Sequence, residues 1–284
     1  MALTYEQALA QARQKASEAD FGSPMRYRIT RAIPALIRRY CPPQADVLDI
    51  GCGSGRYAWF FVEAGIRGRY TGADIDPHSL DGFELADLFS SKLLAMDAHD
   101  LESLNERFDF VLSITAHEHF EDDARVTRGM AHVMRPGATA LIVVPSHTSY
   151  PLYGKHGFRR YSRAQTARLG AEAGLELLET GALCGAASWL FHLAWFVPAH
   201  AARLAGKTLL FATHGMDRER ARRSWPRALG ALDRMGEHHL RWRWGRAAHR
   251  FGLRAAAVLD RVFPFFAVAY LAVFRKPDAA AARP

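Results

Sequence analysis

"VLDIGCGSGRY", residues 47–57, runs an apolar stretch broken by one aspartate, Asp49, into three glycines spaced two apart, Gly51, Gly53 and Gly55. Glycine reaches backbone angles closed to other residues and puts no side chain in the way. The spacing therefore predicts a tight strand-to-helix turn whose amides a ligand can approach closely. The dinucleotide fingerprint asks for Gly-x-Gly-x-x-Gly, and Arg56 stands where its third glycine would be, which weakens a nicotinamide reading. A glycine turn by itself is also compatible with a mere connection.

Outward from this stretch, residues 46–144 alternate short apolar runs, "DVLDI", "YTGAD", "KLLAM", "DFVLSI" and "ATALIVV", with polar-faced segments. That pattern predicts an α/β fold, a parallel sheet with helices on both faces. Crossover helices are expected at 56–64, 79–89 and 122–134, with another at 163–173 leading into "LELLE". The last apolar run, "FFAVAYLAVF", suits a closing strand. Residues 1–45 read as an N-terminal lid of two helices broken near "FGSP", 46–180 as the core, 181–262 as a helical insertion, and 263–284 as the final strand and tail.

The acidic residues fall at matching places. "YTGADIDP" ends a second strand at Asp74, one crossover downstream, where a carboxylate can accept both hydroxyls of a ribose. Asp76, followed by Pro77, suits a turn or a helix cap instead. "LLAMDAHDL" ends a third strand at Asp97, where a carboxylate could accept from the exocyclic amine of an adenine or simply cap a helix.

In this order the motifs resemble those of class I S-adenosylmethionine-dependent methyltransferases, from "VLDIGCGSGRY" through "FDFVLSITAHEHFEDDARVTRGMAHVMRPGATALIVVPS", over about residues 46–180. The resemblance implies a seven-stranded, Rossmann-like doubly wound sheet with a reversed last strand, and S-adenosylmethionine as cofactor. It places Gly51, Cys52, Gly53 and Gly55 against the methionine portion, Asp74 and Ile75 at the ribose, and Asp97 with Ala98 at the adenine. Asp49 orients the loop or meets the methionine amine through water. Thr115, grouped with these, stands where some relatives carry an additional glutamate, so no metal is carried over.

The cofactor's methyl is already activated, so the protein must hold a nucleophile in line and exclude water, with acid–base help only if the acceptor loses a proton. Glu118–His119 matches the "EH" after the fourth strand in ubiquinone-type and related O-methyltransferases. His119 is the favoured base and His117 the second candidate, since imidazole titrates near neutrality; the rival reading is that the pair only fixes the loop. His-x-His lacks further ligands at usable spacing, so no metal is expected. "HTSYPLYGKHGFRRYS" resembles the segment after the fifth strand in cell-envelope and polysaccharide methyltransferases. There His156, Arg159, Arg160 and Tyr161 could line an acceptor pocket, or merely lead into the next helix. Tyr27 and Arg28 belong to the expected lid. The expected acceptor is a small or lipid-linked molecule methylated on oxygen rather than nitrogen; a non-catalytic cofactor-binding interaction module is the reading from another class.

Charge is concentrated late: residues 200–284 hold 17 of the 37 Lys/Arg and only 6 of the 29 Asp/Glu. Residues 180–202 carry no charge but include His192, Pro198 and His200, which suits a buried or interfacial helix better than a membrane span. Beyond them Trp225, Trp242 and Trp244 are interleaved with arginine, a pattern suited to an anionic membrane surface, or to a solvated helix with its tryptophans packed inward. Nucleic acid is not expected as a partner, because no Asn/Asp-Pro-Pro-aromatic element follows the fourth strand. Cys41, Cys52 and Cys184 are too scattered for a disulfide framework. The polar N-terminal stretch lacks a signal-peptide pattern, so a cytoplasmic location is expected, peripheral to the inner membrane face if the insertion touches lipid. Oligomeric state stays open.

Overall fold

The computed structural model describes residues 4–18, 22–53, 55, 57–76, 89–153, 157–213, 223–225 and 243–278. Its seven-stranded sheet comprises β1 (Gln44–Ile50), β2 (Arg67–Asp74), β3 (Phe89–Ala95), β4 (Phe108–Ile114), β5 (Met134–Pro145), β6 (Glu176–Leu183) and β7 (Ala269–Arg275). The order is β3-β2-β1-β4-β5-β7-β6, with β7 antiparallel to both neighbours and the β1 to β5 pairs parallel. This is the expected Rossmann-like sheet with its last strand reversed. The direction of winding changes between β1 and β4, and in such sheets ligands bind at the carboxyl ends of the strands beside that switch.

Period-two alternation sends neighbouring side chains to opposite faces of the sheet. Val47, Phe110, Leu112, Leu141 and Val143 pack beneath α1 (Tyr5–Glu18), α2 (Pro24–Tyr40) and α3 (Trp59–Ala64). Leu48, Ile50, Val111, Ala140 and Ile142 pack beneath α4 (Asp123–Val133) and, beyond the one-turn α5 (Tyr150–Tyr153), α6 (Arg163–Glu172). At the amino edge, Asp46 takes ion pairs from Arg69 and Arg135, which hold its carboxyl down at about 2. That network is at the opposite end from the glycine turn.

Several boundaries move for identifiable reasons. The first crossover helix starts at Trp59 rather than 56, because the glycine turn continues through Gly55 N–H to Cys52 O and Ala58 N–H to Gly55 O bonds. The closing strand starts at Ala269, not Phe265: Pro264 has no amide to give and Phe266 sits at φ 57. β6 runs on to Leu183, paired with Ala269, so the insertion begins at Cys184 rather than 181. The helix expected at 79–89 lies outside the described residues except for Phe89, which opens β3.

Within the insertion, α7 (Ala186–Ala212) and α8 (Arg243–Leu259) pack together, with the Phe191 and His249 rings 5.7 Å apart. Asp260 accepts from the Ser188 amide and hydroxyl, tying the start of α7 to the end of α8. α7 leaves β6, and α8 leads into β7, at the carboxyl edge of the sheet. Among the described residues no helix is long and apolar enough to cross a membrane.

Candidate active site

The turn after β1 depends on its glycines. Gly51, Gly53 and Gly55 have φ of 69°, 52° and 64°, the left-handed region that other residues occupy only under strain. The amides of Gly51 and Cys52 donate to Ala73 O at 2.8 and 3.2 Å. The Gly53 amide donates to Asp74 Oδ2 at 2.8 Å, and Asp74 Oδ1 accepts from the Asp76 amide at 3.1 Å. One carboxylate at the end of β2 thus pins both the glycine turn and its own following turn. A Cβ at Gly51 would stand 2.4 Å from Ala116 Cβ, whereas one at Gly53 would meet nothing within 4 Å. The first glycine answers to protein packing; the second borders open space.

Cys52 is buried, and a Cβ at Gly72 would lie 2.7 Å from its sulfur. Its thiol forms the floor of the turn over β2, so only its backbone is left to face a ligand, a narrower role than the sequence suggested. Ile75, next to Asp74, is 76% exposed, an apolar side chain left uncovered at the lip of the crevice.

Asp49 is buried at the end of β1. Its Oδ2 accepts from the Tyr70 hydroxyl at 2.7 Å, and its Oδ1 has no hydrogen-bond partner. Burial pushes its carboxyl up to about 7, against the Tyr70 hydrogen bond and with help from the nearby Asp74 charge. A buried carboxylate with one oxygen unmet favours any cationic donor that can reach it.

Asp97 is exposed and caps the turn of Ala98–Ser103: its Oδ1 accepts from the His99 amide at 2.9 Å and faces His99 Nδ1 at 2.6 Å. Since His99 Nε2 accepts from the Asp122 amide, Nδ1 carries the proton and donates to Asp97. The His99 backbone and ring bonds hold the Asp97 carboxyl below the ordinary range. The cap uses one carboxylate oxygen, Oδ1.

After β4 the chain makes a strained turn. Thr115, a β-branched residue, sits at φ 51, and its amide donates to Val143 O at 2.8 Å. The short turn His117–His119 follows, packed against Gly51 through Ala116 and Phe120. His117 is fully buried. Thr127 donates its hydroxyl proton to Asp123 O at 2.7 Å, so Thr127 Oγ1 accepts from His117 Nε2 at 3.3 Å, and His117 Nδ1 accepts from Ser113 at 2.9 Å. Both ring nitrogens are engaged and burial drives the imidazolium down to about 3. This geometry removes His117 from the candidate bases and makes it a strut between β4 and α4.

Glu118 is buried too, with Oε2 lacking any hydrogen-bond partner; burial lifts its carboxyl to about 7, tempered by its own amide and by Arg160. His119 is exposed, its Nε2 4.0 Å from Glu118 Oε1. The loop at 157–158 closes over Glu118: Phe158 N–H donates to Glu118 O at 2.6 Å, and Gly157, at φ 75, leaves no room for a Cβ against that carbonyl.

Arg159 and Tyr161 are spent elsewhere. Arg159 pairs with Asp123 and the Glu121 carbonyl, while Tyr161, buried, donates to Asp123 Oδ2 at 2.8 Å and to His117 O at 3.1 Å. Instead of lining a pocket they clamp the 157–161 loop onto the start of α4, a correction to their expected acceptor role. Arg160 is buried, donating to Ser149 Oγ at 3.1 Å with its guanidinium over the Tyr150 ring. His156 lies outside the described residues. In α2, Arg31 covers the Tyr27 ring, and Arg28 keeps its Nε buried without a hydrogen-bond partner, close enough to Cys184 at the end of β6 to act on its thiol.

Residues 47–137 match the family model of a methyltransferase domain. The match runs from β1 to the start of β5, so the glycine turn, Asp74, Asp97 and the Glu118–His119 turn fall inside the matched segment while Arg28 and the 157–161 clamp fall outside it. No protein of curated function matches the chain in sequence. Among solved structures, the [4+2]-cyclase SpnF is 17% identical at a TM-score of 0.51, covering 88% of this chain and 82% of its own. A chain of the complex between the Haloferax volcanii Trm112 methyltransferase activator and a methyltransferase is 18% identical at a TM-score of 0.51, covering 94% and 95%. A sarcosine dimethylglycine methyltransferase from Galdieria sulphuraria, at 18% identity and a TM-score of 0.47, covers 96% and 88%. The first two show a shared fold; since one of them is described as a cyclase, the fold alone does not name the reaction.

The residues present fit S-adenosylmethionine. An unmet carboxylate oxygen on Asp49 awaits a cation, Gly53 borders open space, Asp74 retains lone pairs beyond its two amide bonds, and Ile75 leaves apolar surface uncovered. Among the described residues no three His, Cys, Asp or Glu side chains gather as metal ligands would. Ser113, Thr127, Tyr70 and Asp123, which hold the site together, were missed in the sequence: their partners lie up to 38 positions away and no local spacing marks them.

Proposed function

We propose that this chain is an S-adenosylmethionine-dependent methyltransferase that methylates an oxygen of a small or lipid-linked acceptor. The observation that carries the reading is the alignment, at the carboxyl ends of three adjacent strands, of the glycine turn on β1, Asp74 on β2 and Asp97 after β3. The bound cofactor supplies an activated methyl group. The protein's part is to seat it with Asp74 and the turn, to balance its ammonium with Asp49, and to hold the acceptor beside Glu118 and His119. His119, exposed next to the buried Glu118, takes the acceptor's proton, and Glu118 stabilises the imidazolium that results. Isothermal titration with the cofactor should show micromolar-range binding, and turnover with the acceptor should release S-adenosylhomocysteine; absence of cofactor binding would overturn the proposal.

Two further expectations arise from this site. Glu118→Gln lowers kcat by about a hundredfold or more, as loss of acid–base assistance does, while cofactor affinity stays within about twofold. A parallel loss of cofactor affinity would instead mean that Glu118 only shapes the seat.

The second concerns pH. Asp49 and Glu118 have folded-state carboxyls raised to about 7 from 3.8 and 4.5, so the native state holds protons that the unfolded chain has released. Their contribution to stability is complete below about pH 4 and is lost as pH rises through about 7. Melting temperature should fall between pH 5.5 and 8.5, and Asp49→Asn should flatten that fall. An identical slope in the variant would show that the Asp49 carboxyl is not held protonated.

A further inference from the structure

α8 carries Trp244, Phe251 and Val258 seven residues apart, which at 3.6 residues per turn places them on one line along the helix. All three are exposed, Trp244 at 88% and Phe251 at 74%. The line continues through Leu259, Val262 and the exposed rings of Phe263, Phe265 and Phe266. The opposite face is locked down: His249, Leu253, Ala256 and Asp260 are buried, with His249 Nε2 3.1 Å from Gly22 O and Asp260 bonded to Ser188. The apolar line is therefore the outward one, the reverse of an ordinary surface helix.

Charge follows the same geometry. Arg243 and Arg254, both exposed, stand about a quarter turn from the line along one flank, and the exposed Arg261 follows them beyond the end of the helix. The one acidic residue from 243 to 266, Asp260, is buried on Ser188, so the outward face of residues 243–266 itself presents guanidiniums beside aromatic rings and no carboxylate of its own.

The face ends where the candidate active site opens. Ala269 pairs with Pro145 at the end of β5, Ser146 N–H donates to Val268 O at 2.9 Å, and the Trp189 and Phe266 rings lie 5.8 Å apart. Phe266, at φ 57, keeps a bulky side chain in the left-handed region.

We infer that α8 and the 261–266 loop form a docking face for an anionic bilayer surface. The rings enter to headgroup depth and the arginine row meets lipid phosphates. A nucleic acid would place cations along the centre of the contact, whereas here the centre includes Val258, Leu259 and Val262, which cannot stack on bases. A second copy of the same face offers, among the described residues, no exposed carboxylate from 243 to 266 to the arginines. The inference stands on α8 and the 261–266 loop and does not rest on methyl transfer.

The test is sedimentation of the full chain with vesicles of neutral phospholipid, alone or mixed with anionic phosphatidylglycerol. Binding should require the anionic lipid and fall at least about tenfold as salt is raised from 0.05 to 0.5 M. Trp244→Ser with Phe251→Ser should abolish it. Arg243→Gln with Arg254→Gln should weaken it about twenty-five-fold, about fivefold per arginine. Unchanged melting temperature and cofactor affinity show that the variants fold. Absence of anionic-vesicle binding overturns the inference, as does vesicle binding that survives in both double variants. Dimerisation, or capture of duplex DNA, that depends on the same residues without vesicle binding also overturns it.

Discussion

Asp74→Ala should weaken S-adenosylmethionine binding by about a hundredfold or more, measured by isothermal titration, with a smaller loss of thermal stability. The carboxylate has two duties. Within the protein it accepts from the amides of Gly53 and Asp76, so its removal releases the glycine turn from β2. Toward the ligand it offers its remaining lone pairs to the ribose hydroxyls, and two hydrogen bonds to a charged acceptor contribute roughly 1.5–3 kcal/mol each. Even the lower figures together reach about a hundredfold in affinity. Asp74→Asn keeps one acceptor oxygen but sets its amide hydrogens against a backbone N–H, so an intermediate loss is expected. Unchanged affinity in Asp74→Ala would mean that the cofactor is not seated at the end of β2.

Gly51→Ala and Gly53→Ala should fail in different ways. At Gly51 the new methyl would lie 2.4 Å from Ala116 Cβ while the backbone holds φ at 69°. Left-handed strain of about 1–2 kcal/mol and overpacking of about 1–3 kcal/mol combine. The melting temperature should drop by roughly 5–15 °C. At Gly53 the methyl meets no protein atom, so only the strain remains and the melting temperature should fall by a few degrees. The same methyl occupies the face left open for the cofactor, so binding is lost from a folded protein. Full cofactor affinity in Gly53→Ala would place the seat elsewhere.

Much of the frame could be read from the chain. Strand-length apolar runs alternating with amphipathic segments specify a parallel sheet, and glycines at positions 51, 53 and 55 specify a turn that only glycine makes without strain. Asp74 and Asp97 were legible because strand ends are marked by the break from apolar to acidic residues. The extent of the last strand was harder: "FFAVAYLAVF" is apolar throughout, yet the strand begins only at Ala269, after Pro264 and the left-handed Phe266.

Side-chain roles after β4 were not legible in the same way. His117 and His119 are two residues apart and chemically identical, yet one is buried between Ser113 and Thr127 and the other faces solvent. Arg159 and Tyr161 suited an anionic acceptor until the fold brought Asp123 to both. Trp244 could have packed inward or pointed out, and the burial of His249, Leu253 and Asp260 sends it outward. The sequence by itself determined the sheet with its reversed last strand and the glycine turn after β1, because backbone conformation and apolar period are local properties that each segment carries with it. The tertiary structure alone decided which histidine is accessible, which arginines are already paired and which face of α8 meets solvent, because burial and partnership depend on segments distant in the chain.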